Sequence, residues 1–185
     1  MKINHKQVPQ DNEYSTPPRL WRPLSRAVDG FDLDAATGEA HPKIAEHEYT
    51  KEDDGLSQPW FGDVWLNPPW SSNGEDGARN AKHRWLKKTR REVLRDEVRS
   101  VTCLFPSDTS SSWFHDHLVR AEALCFIGIG RIAFLGESRN PSFEMLVAIF
   151  GEVSTDMLSA MESLGSVFQG ARIYEDGEQT RFGAP

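Results

Sequence analysis

The run Val64-Trp65-Leu66-Asn67-Pro68-Pro69-Trp70 constrains the fold more than any other stretch of the chain. Its three leading apolar residues predict a buried strand, and the two prolines end that strand because proline has a fixed φ and no N–H to donate to a sheet. Pro68 also biases Asn67 away from the helical region. We therefore expect the Asn67 side chain and the carbonyl groups beside it to be held in one geometry, with the exposed ring of Trp70 close by.

Amide and carbonyl oxygens held in this way can accept hydrogen bonds from a planar group that carries an NH2. The alternative is a stiff loop in which asparagine starts a turn and the tryptophan packs on the core. The tetrapeptide is rare enough by average residue usage to favour a functional interpretation. Asn67, Pro68, Pro69 and Trp70 are therefore the candidate catalytic residues.

Strand-like and helix-like segments alternate along the rest of the chain, which predicts an α/β domain whose central sheet is mostly parallel with late antiparallel strands. The predicted strands are 31–36, 64–66, 100–105, 123–127 and 143–150, with a turn into a further strand at 128–134 and one edge strand in the remainder of the chain through 169 to 185. The predicted helices are 19–28, 78–98, 113–120 and 154–164. Residues 1–15 are interpreted as a flexible arm, 16–170 as the domain and 171–185 as a tail.

A second candidate site loop follows the predicted strand 31–36, which ends in Asp34, Ala35 and Ala36. Small residues let a nucleotide-like ligand approach the backbone, and a carboxylate accepts hydrogen bonds from an amine or a hydroxyl. No Gly-x-Gly-x-x-Gly follows, and Asp34 is equally well explained as a cap for the next turn. Because ligands of open α/β sheets bind beyond the carboxyl ends of the strands, Asp34 and Asn67 are expected at one site.

Composition limits the class of protein. The chain has 185 residues, of which 38% are hydrophobic and 26% charged, and this suits one soluble domain. No apolar run approaches the ~20 residues that span a bilayer, and the first residues lack the apolar region of a secretory signal. Cys103 and Cys125 lie in apolar runs, as expected for buried thiols in a reducing, cytoplasmic compartment. Neither belongs to a metal-binding cluster, so no metal is expected.

The charge distribution leaves a nucleic-acid partner open. A formal net charge of −7 counts against one, but the segment 79–99 is basic. Its cations are Arg79, Lys82, Arg84, Lys87, Lys88, Arg90, Arg91, Arg95 and Arg99, against Glu92, Asp96 and Glu97. A solvated helix face explains this segment as well as contact with DNA does. Similarly, the hydroxyl-rich run 107–112 would cap the next helix or hold a phosphate.

Taken in order, these features resemble the phage-type DNA N-6-adenine methyltransferase family, a Dam-like group. The resemblance spans roughly 14–150, and Trp70 stands where that family most often has tyrosine, followed by a long polar insert at 71–81. The matching stretches are Thr16-Pro17, residues 31–36, Asp54-Gly55-Leu56 with Trp60, Trp65 to Trp70, Leu104-Phe105-Pro106, Trp113, Gly130 to Phe134 and Pro141-Ser142.

The resemblance implies a Rossmann-like methyltransferase fold that uses S-adenosylmethionine and acts on double-stranded DNA. It places Asp34, Ala35 and Ala36 in the cofactor pocket, Thr16 and Pro17 near the amino-acid end of the cofactor, and Asp54 near its nucleoside end. Without that context, Asp54 belongs to a surface turn. The candidate DNA contacts are Lys87, Lys88 and Arg91 in the basic segment, and Arg131, Arg139 and Asn140 in later loops.

The chemistry of adenine methylation suits the residues of the tetrapeptide. The Asn67 side-chain oxygen and the Pro68 carbonyl can accept both N–H bonds of a flipped adenine, and Trp70 can stack on the base. The same local chemistry would serve a methyltransferase that acts on guanine in RNA or on glutamine in proteins. An alternative of another class is a catalytically silent DNA-binding protein that keeps the fold.

Overall fold

The computed structural model describes residues 15–38, 42–70, 81–128 and 144–170. Outside these ranges lie residues 1–14 of the predicted arm 1–15, residues 39–41, residues 71–80 of the predicted insert 71–81, the segment 129–143 and the tail 171–185. In chain order the elements are α1 (Pro18–Arg26), β1 (Phe31–Asp34), β2 (Ala45–Glu48), β3 (Gly62–Leu66), α2 (Ala81–Glu92), β4 (Val98–Pro106), α3 (Ser112–Asp116), a 3₁₀ turn (Leu118–Arg120), β5 (Ala123–Ile127), β6 (Met145–Gly151), α4 (Thr155–Glu162) and β7 (Gly165–Gln169).

The described strands form one open, mixed sheet of seven strands in the order β2-β1-β3-β4-β6-β5-β7. The first four in the chain run parallel to one another, and β6, β5 and β7 join them through antiparallel pairings. The α/β class is confirmed, and the sheet is mixed: it is parallel over β1 to β4, and the late strands add the antiparallel pairings that the sequence predicts. Because β1 to β4 share one direction, their carboxyl ends meet at one edge.

Helices cover both faces of the sheet, which explains why β3, β4 and β6 are long apolar runs. On one face, Cys103 of β4 lies 4.0 Å from Thr89 of α2. On the other, the thiol of Cys125 donates to the Met161 carbonyl of α4. Cys103 and Leu124 both pair with Ala148 of β6, so their side chains lie on the same face of the sheet. Cys125 follows Leu124 in β5 and faces the other way, because adjacent strand residues point to opposite faces. Hence α2 and α4 lie on opposite faces, with α1 packed beside α4 and α3 beside α2.

The structure corrects several predicted boundaries. Strand β2 was not predicted, because its sequence Ala-Glu-His-Glu lacks the apolar alternation of a half-buried strand. The predicted helix 78–98 ends at Glu92: Leu94 is 83% exposed, and Val98 already belongs to β4. The predicted helix 113–120 breaks at His117 into α3 and the 3₁₀ turn.

Capping and burial define the ends of these elements. The Ser154 hydroxyl caps α4 by accepting from the Met157 N–H at 3.0 Å. Pro17 is the N-cap of α1. Trp60 is buried in the core beside its loop. Within the described ranges, no helix is both long enough and apolar enough to cross a membrane.

Candidate active site

The two predicted site loops leave neighbouring strands at the same edge of the sheet. β1 and β3 pair in parallel, with Asp34 level with Trp65. The pairing continues one residue beyond β1, where the Ala35 N–H donates to the Trp65 carbonyl at 3.0 Å. The structure therefore brings Asp34 and the Asn67 loop together at the carboxyl edge, as the sequence predicts.

The Asn67 side chain is tied to a distant part of the chain. Its Nδ2 donates to the hydroxyl oxygen of Thr16 at 3.0 Å. Thr16 precedes α1 and is only 2% exposed, so this bond is shielded from water. The segment in front of α1 thus reaches the end of β3, and Thr16 contacts a candidate catalytic residue.

The ring of Trp70 is not exposed, contrary to expectation. The residue is 7% exposed, and its indole N–H donates to the Leu104 carbonyl of β4 at 3.3 Å. Its own carbonyl accepts from the Lys82 ammonium group at 2.8 Å. Proline cannot donate to a sheet and its φ is fixed, so the chain leaves β3 at Pro68. The bonds of Trp70 to Leu104 and Lys82 contribute to holding the chain where it leaves the strand.

Lys82 belongs to the first turn of α2 and connects three elements. Besides its bond to Trp70, its ammonium nitrogen lies 5.5 Å from the ring centroid of Trp113 in α3. Burial lowers the pKa of Lys82, and the negative charge of Asp108 partly offsets that effect. The interaction of the Lys82 ammonium group with the Trp113 ring stabilises the protein more than the same interaction at the surface would, because little water competes for the cation.

Asp34 is a carboxylic acid in an apolar setting. It is 2% exposed, and burial raises its pKa to about 7. The Ala36 N–H donates to Oδ1 at 3.1 Å and opposes that rise, while the charge of Glu48 adds to it. Asp34 therefore caps the turn after β1, as one interpretation predicted, and is also poised to change its charge near neutrality. The hydroxyl of Ser15, the residue before Thr16, is also buried, and it has no hydrogen-bond partner among the described residues.

The loop of Asp54 lies against the end of β1. A Cβ at Gly55 would collide with the Ala35 carbonyl oxygen, so the two backbones touch there. The Gly55 carbonyl accepts from the indole N–H of Trp60 at 2.8 Å. Asp54 itself is exposed with φ 53°, and its carbonyl accepts from the Ser57 N–H at 2.8 Å. It therefore sits in a surface turn that is held beside Ala35.

The candidate DNA contacts differ in their placement. Lys87 and Arg91 are exposed on α2, one turn apart. Lys88 is 14% exposed, and its ammonium group is bonded to Glu92 at 2.8 Å and to the Gln58 carbonyl at 2.7 Å. The ammonium group of Lys88 is thus engaged within the protein in this structure, and the role of Lys88 as a DNA contact stays a prediction. Arg131, Arg139 and Asn140 lie outside the described residues.

The hydroxyl-rich run 107–112 is occupied by its own turn. Ser110 donates to the Asp108 carboxylate through both its N–H and its hydroxyl, at 3.2 Å and 2.7 Å. The Ser111 hydroxyl donates to the Asp108 carbonyl, and Ser111 stands at the N-cap of α3 without a side-chain cap bond. A carboxylate at the centre of these donors disfavours a phosphate there. Within the described ranges, no cluster of three or more His, Cys, Asp or Glu side chains is arranged to hold a metal ion.

Sequence reasoning missed the two tethers of the site loop. The resemblance predicts that Thr16 contacts the cofactor, and it gives no contact between Thr16 and Asn67. Lys82 was named only among the cations of the basic segment, without a predicted contact to Trp70. Each contact joins residues that are distant in sequence, 51 and 12 positions apart. Neither pair has a local pattern that could have indicated it.

Comparison with known proteins gives one family. A family model described as DNA N-6-adenine-methyltransferase (Dam) matches residues 4–157, which include both strand-end loops and α2. No curated protein matches the chain.

Proposed function

The chain belongs to the DNA N-6-adenine-methyltransferase (Dam) family, and on that premise we propose that it transfers a methyl group from S-adenosylmethionine to the exocyclic N6 amine of adenine in double-stranded DNA. The observation that carries the proposal is the placement of Asp34 and Asn67 at the ends of two adjacent parallel strands. In a Rossmann-like methyltransferase, that edge holds the methyl donor and the acceptor side by side.

The residues at the end of β1 suit the proposed cofactor. S-adenosylmethionine supplies a methyl group that is activated by a sulfonium, and its amine and hydroxyl groups need buried acceptors. Asp34 offers a carboxylate, and the Ser15 hydroxyl is buried without a partner. The small side chains of Ala35 and Ala36 leave room for a ligand at the backbone. In this proposal Thr16 and Pro17 lie near the amino-acid end of the cofactor, and Asp54 near its nucleoside end.

The proposed chemistry at Asn67 is positioning and polarisation. The N6 amine of adenine is a poor nucleophile because its lone pair is delocalised into the ring. Two acceptors, Asn67 Oδ1 and the Pro68 carbonyl, hold both N–H groups and favour a pyramidal nitrogen whose lone pair faces the methyl donor. Because an amide is neutral, Asn67 does not take the proton. The proton leaves the nitrogen after transfer, when the amine has become acidic.

The remaining residues of the tetrapeptide are proposed to shape the loop. An adenine must leave the duplex to reach Asn67, and Pro68 and Pro69 keep the acceptors from turning away. The burial of Trp70 changes its proposed part: its bonds to Leu104 and Lys82 anchor the loop. Stacking of the flipped base on this ring would require Trp70 to leave that position.

The exposed basic face of α2 is the proposed DNA contact. Its inward side chains Trp85, Leu86, Thr89 and Glu92 are buried, which leaves Lys87 and Arg91 pointing to solvent. Each phosphate contact that is lost should lower the salt dependence of binding by about one unit of the log–log slope. We expect the double variant Lys87→Ala/Arg91→Ala to bind duplex DNA more weakly and with a shallower salt slope.

A matched control exists on α1. Arg22 and Arg26 have the same spacing of four residues and are also exposed, but α1 packs beside α4 on the opposite face of the sheet. The variant Arg22→Ala/Arg26→Ala removes the same charge and should leave the salt slope unchanged. Equal losses in both variants would show a general charge effect and count against α2 as the DNA contact.

The direct test of the function is to identify the methylated product. Purified protein is incubated with S-adenosylmethionine carrying a labelled methyl group and with unmethylated duplex DNA, and the DNA is digested to nucleosides. The expected product is N6-methyldeoxyadenosine, and Asn67→Ala should abolish it while keeping cofactor affinity. If the label is found on cytosine, on guanine of added RNA or on protein glutamine, adenine in DNA is not the substrate and the labelled group is. Cofactor binding without transfer to any of these would overturn the enzymatic function.

A further inference from the structure

The loop that the proposed function assigns to the nucleoside end of the cofactor is attached to α2 by side chains. It comprises residues 53–60 and is here called the 53–60 loop. The ammonium group of Lys88 donates to the Gln58 carbonyl at 2.7 Å, and the carboxylate of Glu92 accepts from the Trp60 N–H at 2.9 Å. Because Lys88 and Glu92 are four residues apart, they lie on the same face of the helix. One face of α2 therefore holds the end of the loop at two points.

The two holding side chains are fixed by each other and by a third residue. Lys88 Nζ lies 2.8 Å from Glu92 Oε1, and Arg95 Nη1 lies 2.6 Å from Glu92 Oε2. Burial by itself would raise the pKa of Glu92, but these bonds and the bond from the Trp60 N–H outweigh burial and lower that pKa. An ammonium group only donates and a carboxylate only accepts, so the directions of these bonds are unambiguous. Glu92 is thus ionised at neutral pH and keeps Lys88 beside the loop.

Within the loop, further contacts extend this attachment to the end of β1. The indole N–H of Trp60 donates to the Gly55 carbonyl at 2.8 Å, and the side-chain amide of Gln58 donates to the Asp53 carbonyl at 2.9 Å. Gly55 touches the Ala35 carbonyl, with which a Cβ at Gly55 would collide. A displacement of Gln58 and Trp60 would therefore move the turn at Gly55 away from the end of β1, where the cofactor is proposed to bind.

We propose that Lys88 is a positioning residue for S-adenosylmethionine, which holds the 53–60 loop against the end of β1 and so raises the affinity for the nucleoside part of the cofactor. The inference rests on the proposed function, and it gives Lys88 a role besides the DNA contact that the sequence predicts. A ligand that needs the loop in place binds more weakly when fewer molecules have the loop in place. The loss of Lys88 should therefore appear in the dissociation constant of the cofactor, in the absence of DNA.

The test uses Lys88→Met, which keeps the aliphatic chain and removes the donor to the Gln58 carbonyl. The dissociation constant of S-adenosylmethionine, measured by calorimetry without DNA, should rise about fivefold to tenfold, the factor that corresponds to the loss of one hydrogen bond. Methylthioadenosine, which has the nucleoside but lacks the amino-acid chain, should lose affinity by the same factor. A loss for S-adenosylmethionine alone would place the effect at the other end of the cofactor and overturn the inference.

Arg95→Met is the matched control, because it removes the other cation that is bonded to Glu92. The ion pairs of Arg95 are with Glu92 and Glu97, and neither partner belongs to the loop. Both variants should lower stability in urea, but Arg95→Met should keep the dissociation constant of S-adenosylmethionine within about twofold of wild type. Equal losses of affinity in both variants would show a general weakening around Glu92 and overturn the role of Lys88. Weaker DNA binding by Lys88→Met with unchanged cofactor affinity would also overturn it.

Hydrogen exchange without cofactor tests the position of the loop itself. The amide hydrogens of residues 53–60 should exchange faster in Lys88→Met than in wild type or in Arg95→Met, and unchanged exchange would overturn the inference. If the wild type binds S-adenosylmethionine but methylates no DNA, the enzymatic function fails, and the affinities of the two variants still decide the role of Lys88. If the wild type does not bind S-adenosylmethionine, the proposed function and the inference are both overturned.

Discussion

The parallel strands β1 to β4 begin at one edge of the sheet, here called the amino edge, and finish at the carboxyl edge described above. The buried carboxylates at these two edges differ in their hydrogen-bond partners. At the amino edge, Asp63 of β3 accepts from Nε and Nη2 of Arg99 at 2.9 Å and 2.7 Å, and from the Ser100 hydroxyl at 2.6 Å. At the carboxyl edge, Asp34 accepts from one backbone N–H, that of Ala36 at 3.1 Å. Both are buried, but only Asp63 has a cation and a hydroxyl as partners within the described residues.

At the amino edge, the carboxylates find their hydrogen-bond partners within the protein. Asp32 of β1 accepts from the Asp63 N–H and from Arg99, each at 2.7 Å, and so joins three strands. We call this group of Asp32, Asp63 and Arg99 the clamp. Gly62 has φ +65°, and a Cβ there would collide with the Asp32 carboxylate, so the clamp also explains why a glycine stands at this position. A buried polar group without full partners costs free energy. The contrast therefore indicates that the amino edge supports the fold, whereas the carboxyl edge retains groups that a ligand can satisfy.

The largest expected effect is on the carboxyl edge and concerns mainly the rate. Asn67→Ala should lower methyl transfer at least about 100-fold, the loss typical when a group that stabilises the transition state is removed. Its free energy of unfolding should fall by no more than about 2 kcal/mol, the cost when a buried hydroxyl such as that of Thr16 loses a hydrogen-bond partner. Product formation and urea unfolding measure the two quantities.

Gln169→Ala is the control for that variant, because it removes an exposed amide on β7, the outermost strand of the sheet on the side away from β1 and β3. It should change neither rate nor stability. A large loss of stability in Asn67→Ala, comparable to that expected for the amino edge below, would contradict the division between the two edges.

The amino edge should show the reverse pattern. Asp63→Ala removes the shared acceptor of Arg99 and Ser100 and should lower the free energy of unfolding by about 3 kcal/mol, as when one partner of a buried ion pair is removed. Arg99 is half exposed and regains water, which limits the loss. Urea denaturation measures it, and transfer by the folded variant, assayed well below its melting temperature, should be near that of wild type.

Glu46→Ala supplies the comparison, since it deletes an exposed carboxylate on the edge strand β2. Its stability should change by no more than about 0.5 kcal/mol. If Asp63→Ala were equally mild, the amino edge would not be the clamp that its hydrogen bonds indicate.

The carboxyl edge was easier to predict from sequence than the amino edge, for a physical reason. The Asn67 loop and the Asp34 turn are each encoded in a few adjacent residues: an apolar run, then prolines or small side chains. The clamp of Asp32, Asp63 and Arg99 joins residues 31 to 67 positions apart. No local pattern marks such partners, because each looks like an ordinary exposed charge.

The same limit explains the other differences. The burial of Trp70 depends on Leu104 and Lys82, which come from β4 and α2, and a tryptophan after Pro-Pro is compatible with either state. Strand β2 was missed because an edge strand needs few apolar residues once a parallel neighbour supplies its hydrogen bonds. By contrast, β5 was predicted correctly, since its apolar run carries the signal locally.

A smaller effect is expected from Asp34, the buried acid of the carboxyl edge. Burial raises the folded-state pKa of Asp34 from its ordinary value of 3.8 to about 7. The folded protein therefore binds the proton more tightly, so this group's contribution to stability is complete below pH 4 and is lost as pH rises through 7. Between pH 5 and 8 the difference in stability between wild type and Asp34→Asn should change by about 2 kcal/mol, with wild type the less stable at high pH.

Taking the difference between the two proteins removes other titrations. His117, whose pKa burial lowers to about 4, has the opposite sign: its contribution is lost as pH falls from 6.5 to 4, and it is common to both proteins. Urea unfolding at several pH values measures the difference. A pH-independent difference would mean that Asp34 is paired as completely as Asp63, and the contrast between the edges would fail.

The smallest effect is expected at Lys82, which tests how much its bond to Trp70 contributes to holding the site loop. Lys82→Met keeps the aliphatic chain but removes the donor to the Trp70 carbonyl, while the bond from Trp70 to Leu104 remains. Because other contacts of the loop remain, kcat should fall only about threefold to tenfold, with unchanged affinity for S-adenosylmethionine. Lys51→Met, at an exposed position, should leave kcat unchanged. A loss as large as that of Asn67→Ala would mean that Lys82 touches the substrate, and no loss would mean that the loop keeps its position without the Lys82 bond.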